Sequence, residues 1–323
     1  MQPTDLALAT PGIARDAAMR AVCRRPATAL VSVPAASDDD GRTSFDALLP
    51  PAMARRAEQT GVRKVAMAPM RTLALAVLAG AFIALGGAFA TTAAAGVGDA
   101  PWGLVRVVVG VVFSLGLILV LVGGAELFTG NNLIVMAWAS GRVGTAAVVR
   151  NWTIVFAGNA LGAIATAAVV CVAGVHRFGG GAWGSTALAI ASAKLGLGFV
   201  QAVALGLLCN ALVCLAVWLT YSARTTTDRI LAIVPPISAF VAIGFEHSIA
   251  NLYFVPLGIF VAVFDPAFVA ARTLAGQADT LTWTGFVLRN LVPVTLGNIL
   301  GGSLLVGAVY WFVYLGPERE GSS

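Results

Sequence analysis

The chain has 323 residues, of which 59% are hydrophobic and 11% are charged, and its formal net charge is +5. Because a soluble domain carries roughly 25% charged residues, this composition excludes an ordinary soluble protein and predicts a polytopic membrane protein. The positive charge does not indicate nucleic-acid binding, since arginine is concentrated in the N-terminal segment and at the ends of apolar runs, where membrane topology signals lie.

The chain begins with a polar segment and a basic cluster. Residues 1–43 contain no sustained apolar period, which predicts a disordered tail. A short amphipathic helix is predicted over residues 45–61. A cluster of basic side chains then precedes the first apolar run and predicts a cytoplasmic N-terminus. The cluster contains Arg55, Arg56, Arg63, Lys64 and Arg71.

Six apolar runs follow, each near or above the ~20 residues that a bilayer requires. The predicted spans are residues 72–94, 104–139, 152–175, 196–221, 230–264 and 291–315. The second and fifth are too long for one straight helix, and each contains a polar break. The basic loops fall on the side of the N-terminus, and the loop with His176 falls on the other side. An even number of spans predicts a cytoplasmic C-terminus.

The break in the fifth span, residues 244–251, reads Gly-Phe-Glu-His-Ser-Ile-Ala-Asn. A glutamate beside a histidine is costly at membrane depth, and such residues usually face a polar cavity or pathway. A broken helix is tolerated in lipid only where protein or water satisfies the freed backbone groups. The sequence therefore predicts a polar site around Glu246 and His247 in the middle of a span.

The chain contains an internal repeat. Residues 124–131 match residues 244–251 without a gap, with glycine, glutamate and asparagine at the first, third and eighth positions. Residues 150–162 match residues 289–301, with Arg-Asn, Gly-Asn and a second glycine at equal spacing. Two halves of three spans each enter the membrane from opposite sides. Inverted repeats with paired broken helices indicate a channel or transporter with a substrate path near the bilayer midplane.

These motifs resemble the formate/nitrite transporter family of anion channels over about residues 44–315. The stretches that carry the resemblance are residues 79–86, 123–131 (Gly-Gly-Ala-Glu-Leu-Phe-Thr-Gly-Asn), 210–218 (Asn-Ala-Leu-Val-Cys-Leu-Ala-Val-Trp), 244–251 and 294–298 (Val-Thr-Leu-Gly-Asn). The resemblance implies an all-α membrane protein with six transmembrane helices and an aquaporin-like inverted repeat. It places a channel domain at residues 44–316, between tails at 1–43 and 317–323.

The resemblance also implies a homopentamer in the bacterial inner membrane, with both termini cytoplasmic and a pore in each protomer. Its substrates would be small monovalent anions, with formate first and nitrite, acetate or hydrosulfide as alternatives, moved together with protons. It implies no organic cofactor and no metal, and it implies a channel rather than an enzyme.

By resemblance, His247 is the central pore histidine and contacts Thr129. The other interpretation of this lone membrane histidine is a purely structural hydrogen bond. Lys194 begins the predicted fourth span. The sequence alone favours a snorkelling lysine at the membrane interface, whereas the resemblance implies a lysine in the vestibule that attracts anions towards the pore. Glu246 either orients a polar network or caps amides freed at the break, and we favour the cap. Three asparagine side chains are predicted either to bond backbone groups freed at the helix breaks or to line the pore. They are Asn210, Asn251 and Asn298.

Apolar side chains at family positions are predicted to form two constrictions, one on each side of His247. They are Phe113, Leu117, Leu127, Phe128, Val213 and Phe240. The other interpretation is ordinary packing in a membrane span. Glu126 and Asn159 are repeat counterparts with a predicted structural role.

Two other functions are compatible with parts of the sequence. An aquaporin-like facilitator for neutral solutes would share the fold, but neither break contains the Asn-Pro-Ala motif of aquaporins. An intramembrane hydrolase could use Glu246 and His247. Metal-dependent hydrolases need further ligands at helical spacing, and the other histidine, His176, is predicted to lie in an external loop.

Overall fold

A computed structural model of the chain describes residues 47–272 and 275–316, so the predicted tails at 1–43 and 317–323 lie outside the described residues. Within these two ranges the regular elements are helical. They are α1 Pro50–Ala66, α2 Pro69–Ala94, α3 Trp102–Gly123, α4 Val135–Ala139, α5 Thr145–Val172, α6 Ala182–Leu195, α7 Phe199–Ser222, α8 Thr226–Ile243, α9 Ser248–Phe264, α10 Pro266–Ala271, α11 Ala275–Ala278 and α12 Trp283–Tyr314.

Six helices of the described part are long and apolar enough to cross a membrane: α2, α3, α5, α7, α8 and α12. This confirms the predicted all-α membrane fold. The predicted fifth span is divided into α8 and the 17-residue α9. The third and sixth spans begin earlier than predicted, at Thr145 and Trp283, because their helices continue past the apolar run into polar residues. Helix α12 contains two π-helical segments, Phe286–Leu291 and Gly301–Ala308.

The predicted amphipathic helix is α1, shifted towards the C-terminus. Pro50 begins it, because proline fixes a helical φ and lacks the N–H that the first turn leaves unused. It ends at Ala66, two residues before Ala68, which precedes Pro69 and is extended, as expected of a residue before proline. Its apolar face, with Met53, packs against Trp218 of α7.

Both breaks use a glycine with positive φ. Gly124 (φ +79°) directly follows α3 and Gly244 (φ +96°) directly follows α8, and residues with a Cβ rarely adopt such positive φ values. After the first break the chain forms a 3₁₀ helix, Gly130–Ile134, and the short α4. After the second it forms the longer α9. The halves therefore share the break and differ in the half-helix that follows.

The second alignment of the repeat corresponds to equivalent helix crossings. Helix α5 crosses α2 at Gly162, and α12 crosses α7 at Gly301. A Cβ at Gly162 would overlap the carbonyl oxygen of Val77, and a Cβ at Gly301 would overlap that of Leu207. Glycine is therefore required at both crossings, which explains why it recurs there.

Side-chain hydrogen bonds and ion pairs connect loops that lie at the same end of the spanning helices. Arg142 forms an ion pair with Glu58 of α1 (3.5 Å), and Arg56 of α1 donates to the carbonyl oxygen of Tyr221 at the end of α7 (3.0 Å). Arg150 donates to the carbonyl oxygen of Val65 in α1 (3.0 Å). These basic side chains therefore lie together at one end of the helices.

At the opposite end, Asp265 after α9 accepts hydrogen bonds from His176 Nε2 (3.0 Å) and Arg177 Nη2 (2.8 Å) in the loop after α5. These contacts link the loop after α5, in the first half, to the loop after α9, in the second half.

Candidate functional site

His247 and Thr129, one from each break, form a buried hydrogen bond. His247 caps the N-terminus of α9, and its Nδ1 accepts the backbone N–H of Ala250 (3.1 Å). A ring nitrogen that accepts a hydrogen bond carries no proton, so the neutral imidazole has its proton on Nε2. That proton is donated to Oγ1 of Thr129, 3.0 Å away. The hydroxyl proton of Thr129 has no acceptor among residues 47–272 and 275–316, so it is available to a ligand.

Two cavities approach this pair from opposite sides. Phe113 of α3 lines one cavity together with Phe240 and His247, and Leu117, one helical turn later, lines the other together with Leu127. Four residues of α-helix rise about 6 Å. The cavities are therefore separated along α3 by a thin layer of buried apolar side chains. This places four of the predicted constriction residues on the two sides of one barrier.

The first cavity, which we call the Lys194 vestibule, has a volume of about 280 Å³. The Phe240 ring stacks on His247 (centroids 6.0 Å apart) and meets Phe113 edge to face (5.8 Å). The charged groups of its lining are Arg106, Lys194 and Glu246. Arg106 Nε donates to the carbonyl oxygen of Ala242 (2.9 Å) at the end of α8, so a positive charge is held near the break.

The second cavity, which we call the Lys64 vestibule, has a volume of about 240 Å³. Its apolar inner wall contains Leu117 and Leu127. Its charged and titratable lining residues are Arg56, Arg63, Lys64, Glu126, Tyr221 and Arg229. Both mouths of the barrier are therefore lined by an excess of positive charge, which raises the local concentration of anions.

A polar network of equivalent residues adjoins each vestibule. In the second half, Lys194 Nζ donates to Oε1 of Glu246 (3.0 Å), and Asn251 donates to Oε2 of Glu246 (2.6 Å) and to Oδ1 of Asn290 (2.7 Å). Asn290 in turn donates to the carbonyl oxygen of Lys194 (3.0 Å).

In the first half, Lys64 Nζ donates to Oε1 of Glu126 (2.7 Å), and Asn131 donates to Oε2 of Glu126 (2.7 Å) and to Oδ1 of Asn151 (2.9 Å). Asn151 donates to the carbonyl oxygen of Lys64 (3.4 Å). The inverted repeat therefore includes a lysine, a glutamate and two asparagines in each half.

Two further asparagines satisfy the broken backbone. Asn298 of α12 accepts the N–H of Ser248 (2.9 Å) and donates to the carbonyl oxygen of Glu246 (3.0 Å). At the first break, Asn159 of α5 accepts the N–H of Phe128 (2.9 Å) and donates to the carbonyl oxygen of Glu126 in the same way. An unpaired buried backbone group costs about 1–3 kcal/mol, so these amides make both breaks tolerable.

Besides Thr129 and Asn298, three predicted pore residues line neither vestibule. Asn210 of α7 donates to the carbonyl oxygens of Thr129 (3.3 Å) and Asn298 (2.7 Å), which is a structural role. The Phe128 ring packs on α5, with its centroid 5.0 Å from that of Phe156. Val213 is buried among the apolar side chains of the core.

Glu246 and Lys194 differ from the sequence expectations. The Glu246 carboxylate accepts from Lys194 and from amide side chains rather than from freed backbone amides, which His247 and Asn298 cap instead. Lys194 lies in the last turn of α6, and the fourth span begins at Phe199. Lys194 therefore belongs to a separate short helix upstream of the predicted fourth span.

Sequence reasoning missed Lys64 as a site residue, because it lay within a basic cluster that was interpreted only as a topology signal. Extending the internal repeat upstream of the spans would have paired it with Lys194. The hydrolase hypothesis is not supported by the geometry, because Glu246 is directed to Lys194 and His247 to Thr129.

Residues 51–312 match the family model described as formate/nitrite transporter. The formate channel FocA of Escherichia coli (strain K12) is 45% identical over 273 residues, which cover 84% of this chain and 96% of the relative. The formate channel FocA of Haemophilus influenzae is 40% identical over 274 residues, with coverage of 84% and 96%.

Among solved structures, a pentameric formate channel with formate bound is 43% identical with a TM-score of 0.73, covering 76% of this chain and 98% of that chain. The family model spans most of the sequence, and both relatives are similar to it over nearly their whole length. The chain therefore belongs to the formate/nitrite transporter family, a family of transporters rather than of enzymes.

Proposed function

We propose that this protein is a channel for small monovalent anions, with formate as the leading substrate and a proton as the coupled ion. The observation that carries the proposal is the arrangement of two cationic vestibules around a thin apolar barrier, with the Thr129–His247 pair at that barrier. The names of the similar channels favour formate within the substrate class.

The barrier supplies the physical reason for coupling. An unpaired charge in an apolar surrounding is strongly disfavoured, so a bare anion stops at Phe113 or Leu117. A proton from vestibule water that joins the carboxylate produces a neutral acid, for which this penalty is removed. Lys194 and Lys64 attract the anion at the two mouths. Each lysine already forms an ion pair with a glutamate, and because the glutamate competes with the anion for the lysine, the anion can be released again.

His247 acts on the acid through Thr129. Its Nε2–H holds the hydroxyl oxygen of Thr129, so the threonine's own proton is left to donate to an oxygen of the substrate. Because Nδ1 is occupied by the Ala250 N–H, a cationic ring would have to give up that bond. The geometry thus favours a neutral histidine that orients the hydrogen bond over one that stores the proton.

The proposal extends to assembly and orientation. The matched structure is a pentamer, and we propose a homopentamer with one pore in each protomer. The end that carries Arg56, Arg142 and Arg150 would face the cytoplasm, since cytoplasmic loops are enriched in Lys and Arg. Both termini would then be cytoplasmic, in a bacterial inner membrane.

The test is uptake into proteoliposomes followed by light scattering, with formate, nitrite, acetate and glycerol compared at two pH values. We expect formate uptake to be faster at the lower pH, with negligible glycerol uptake. A higher rate for nitrite or acetate would reassign the substrate. Glycerol or water flux without anion uptake would refute the anion channel and support a neutral-solute facilitator.

A further inference from the structure

The two vestibules differ in charge. The Lys64 vestibule has four cationic side chains in its lining and one carboxylate, Glu126, which is a formal charge of three positive. The Lys194 vestibule has two cationic side chains, Arg106 and Lys194, and one carboxylate, Glu246, which is a formal charge of one positive. The repeat accounts for one lysine–glutamate pair in each. The additional charge of the Lys64 vestibule comes from Arg56, Arg63 and Arg229.

These arginines retain unused hydrogen-bond donors. Arg56 uses Nη1 to reach the carbonyl oxygen of Tyr221 (3.0 Å). Arg63 uses Nη2 within its own helix, to Oγ1 of Thr60 (3.0 Å). The side chain of Arg229 makes no hydrogen bond or ion pair with any residue in the two described ranges. A guanidinium carries five N–H donors in a planar fork, so most donors around this cavity are available to a ligand.

Guanidinium groups are complementary to oxyanions, because their charge is opposite and their planar N–H groups fit two oxygens. Their parallel N–H groups bind two oxygens of a phosphate or carboxylate group at once, and such charge-assisted bonds are about twice as strong as neutral ones. A monovalent anion that only passes through needs a weak site. Three guanidinium groups around one cavity of about 240 Å³ are better suited to an anion of higher charge.

We propose that the Lys64 vestibule binds a small divalent oxyanion of the sulfate or hydrogen-phosphate class, and that the bound anion blocks the pore. One proton cannot neutralise a divalent anion, so the apolar barrier at Leu117 and Leu127 retains it in the vestibule. It then occupies the place where the monovalent anion collects. The binding site is independent of the proposed function, whereas the block rests on it.

Binding is tested first, by thermal unfolding of the detergent-solubilised full chain in sulfate and in chloride at equal ionic strength. Sulfate is the probe because its charge does not titrate. A ligand that binds the folded state raises its unfolding temperature. We expect a larger rise in sulfate than in chloride for the wild type, and loss of this difference in the double variant Arg63→Gln, Arg229→Gln. Arg63 hydrogen-bonds only within its own helix, and the Arg229 side chain has no hydrogen-bond partner in the described part, so neither replacement removes a hydrogen bond between helices.

The matched control is Arg55→Gln, Arg71→Gln. It removes the same charge from exposed positions outside the vestibule, and we expect it to keep the sulfate effect. Sulfate also stabilises proteins by exclusion from their surfaces, and that general effect would be equal in all three proteins. An equal rise in wild type, double variant and control would therefore overturn the proposed site.

The block is tested by formate uptake into proteoliposomes with sulfate on both faces of the membrane, so that the orientation of insertion does not matter. Each rate is normalised to that of the same protein without sulfate. We expect half-inhibition of the Arg63→Gln, Arg229→Gln variant to require at least about tenfold more sulfate than in wild type, since two charged hydrogen-bond donors are lost. Inhibition at an unchanged sulfate concentration would overturn the block. If no formate uptake occurs at all, the proposed function fails, and the unfolding measurement still decides the binding site.

Discussion

His247 Nε2 lies 3.0 Å from Thr129 Oγ1, although the two residues are 118 positions apart and belong to opposite halves of the repeat. This contact can form only if both helix breaks are intact and the two half-helices meet. The pair therefore reports on the fold as well as on the proposed transport step.

Replacement of His247 by Asn should lower formate uptake and flatten its dependence on pH. A shorter amide cannot hold Thr129 in place, although its oxygen can still cap Ala250, so the fold is retained. Thr129→Ala should act at the same step, and Thr129→Ser, which keeps the hydroxyl, should retain most of the flux. The measurement is the ratio of uptake rates at two pH values. The same ratio in His247→Asn and wild type would contradict the role of the pair.

Removal of Lys194 should destabilise the protein through its partner. Lys194→Met leaves the buried Glu246 carboxylate without a cation, and breaking a buried ion pair costs about 3–5 kcal/mol. The double variant Lys194→Met, Glu246→Gln removes both charges and should regain most of the lost stability. Both variants should transport formate slowly, because the vestibule has lost its lysine. Thermal unfolding and uptake are measured together, and equal unfolding temperatures of the single and double variants would refute the coupling.

Gly244 is expected to be sensitive to a single methyl group. Its φ of +96° is unfavourable for a residue with a Cβ, and the added atom would lie 3.2 Å from Nη2 of Arg106. Gly244→Ala should reduce stability by about 1–2 kcal/mol. The control is Gly103→Ala in the first turn of α3, where a Cβ meets no atom within 4 Å and alanine is a better helix former. Equal unfolding temperatures of the two variants would be inconsistent with strain at the break.

The hydrogen bonds that Asp265 accepts in its loop should make the stability of the protein depend on pH in the acid range. Hydrogen bonds from His176 and Arg177 lower the pKa of this carboxyl to about 2, from an ordinary value near 3.8. A group whose pKa is lower in the folded state contributes stability above its unfolded pKa and loses it as the pH falls towards the folded value. The contribution is therefore complete at neutral pH and declines below about pH 4.

Asp265→Asn is the variant that checks this dependence. The difference in unfolding temperature between wild type and Asp265→Asn should be largest near neutral pH and should shrink between about pH 4 and pH 2. Asp99 is an exposed acid in another loop, and Asp99→Asn serves as the control, with little difference expected at any of these pH values. A constant difference for Asp265→Asn across this range would disprove the argument.

The sequence by itself determined the membrane class, the six spans, the two breaks and the repeat. These features depend on local composition and periodicity, since a span must be apolar along its length and a break must contain glycine and polar groups. The residues of the central pair, His247 and Thr129, were also predictable, because the family motifs contain them.

Only the tertiary structure decided which side chains meet. Lys64 pairs with Glu126 across 62 positions, and the direction of the Phe128 ring towards α5 is equally invisible in a hydrophobic pattern. An apolar residue is buried wherever a helix packs, whether against a neighbouring helix or beside a pore. Which of these applies depends on how the helices cross, and the crossing is set by close contacts between residues far apart in the chain, such as that of Gly162 with Val77.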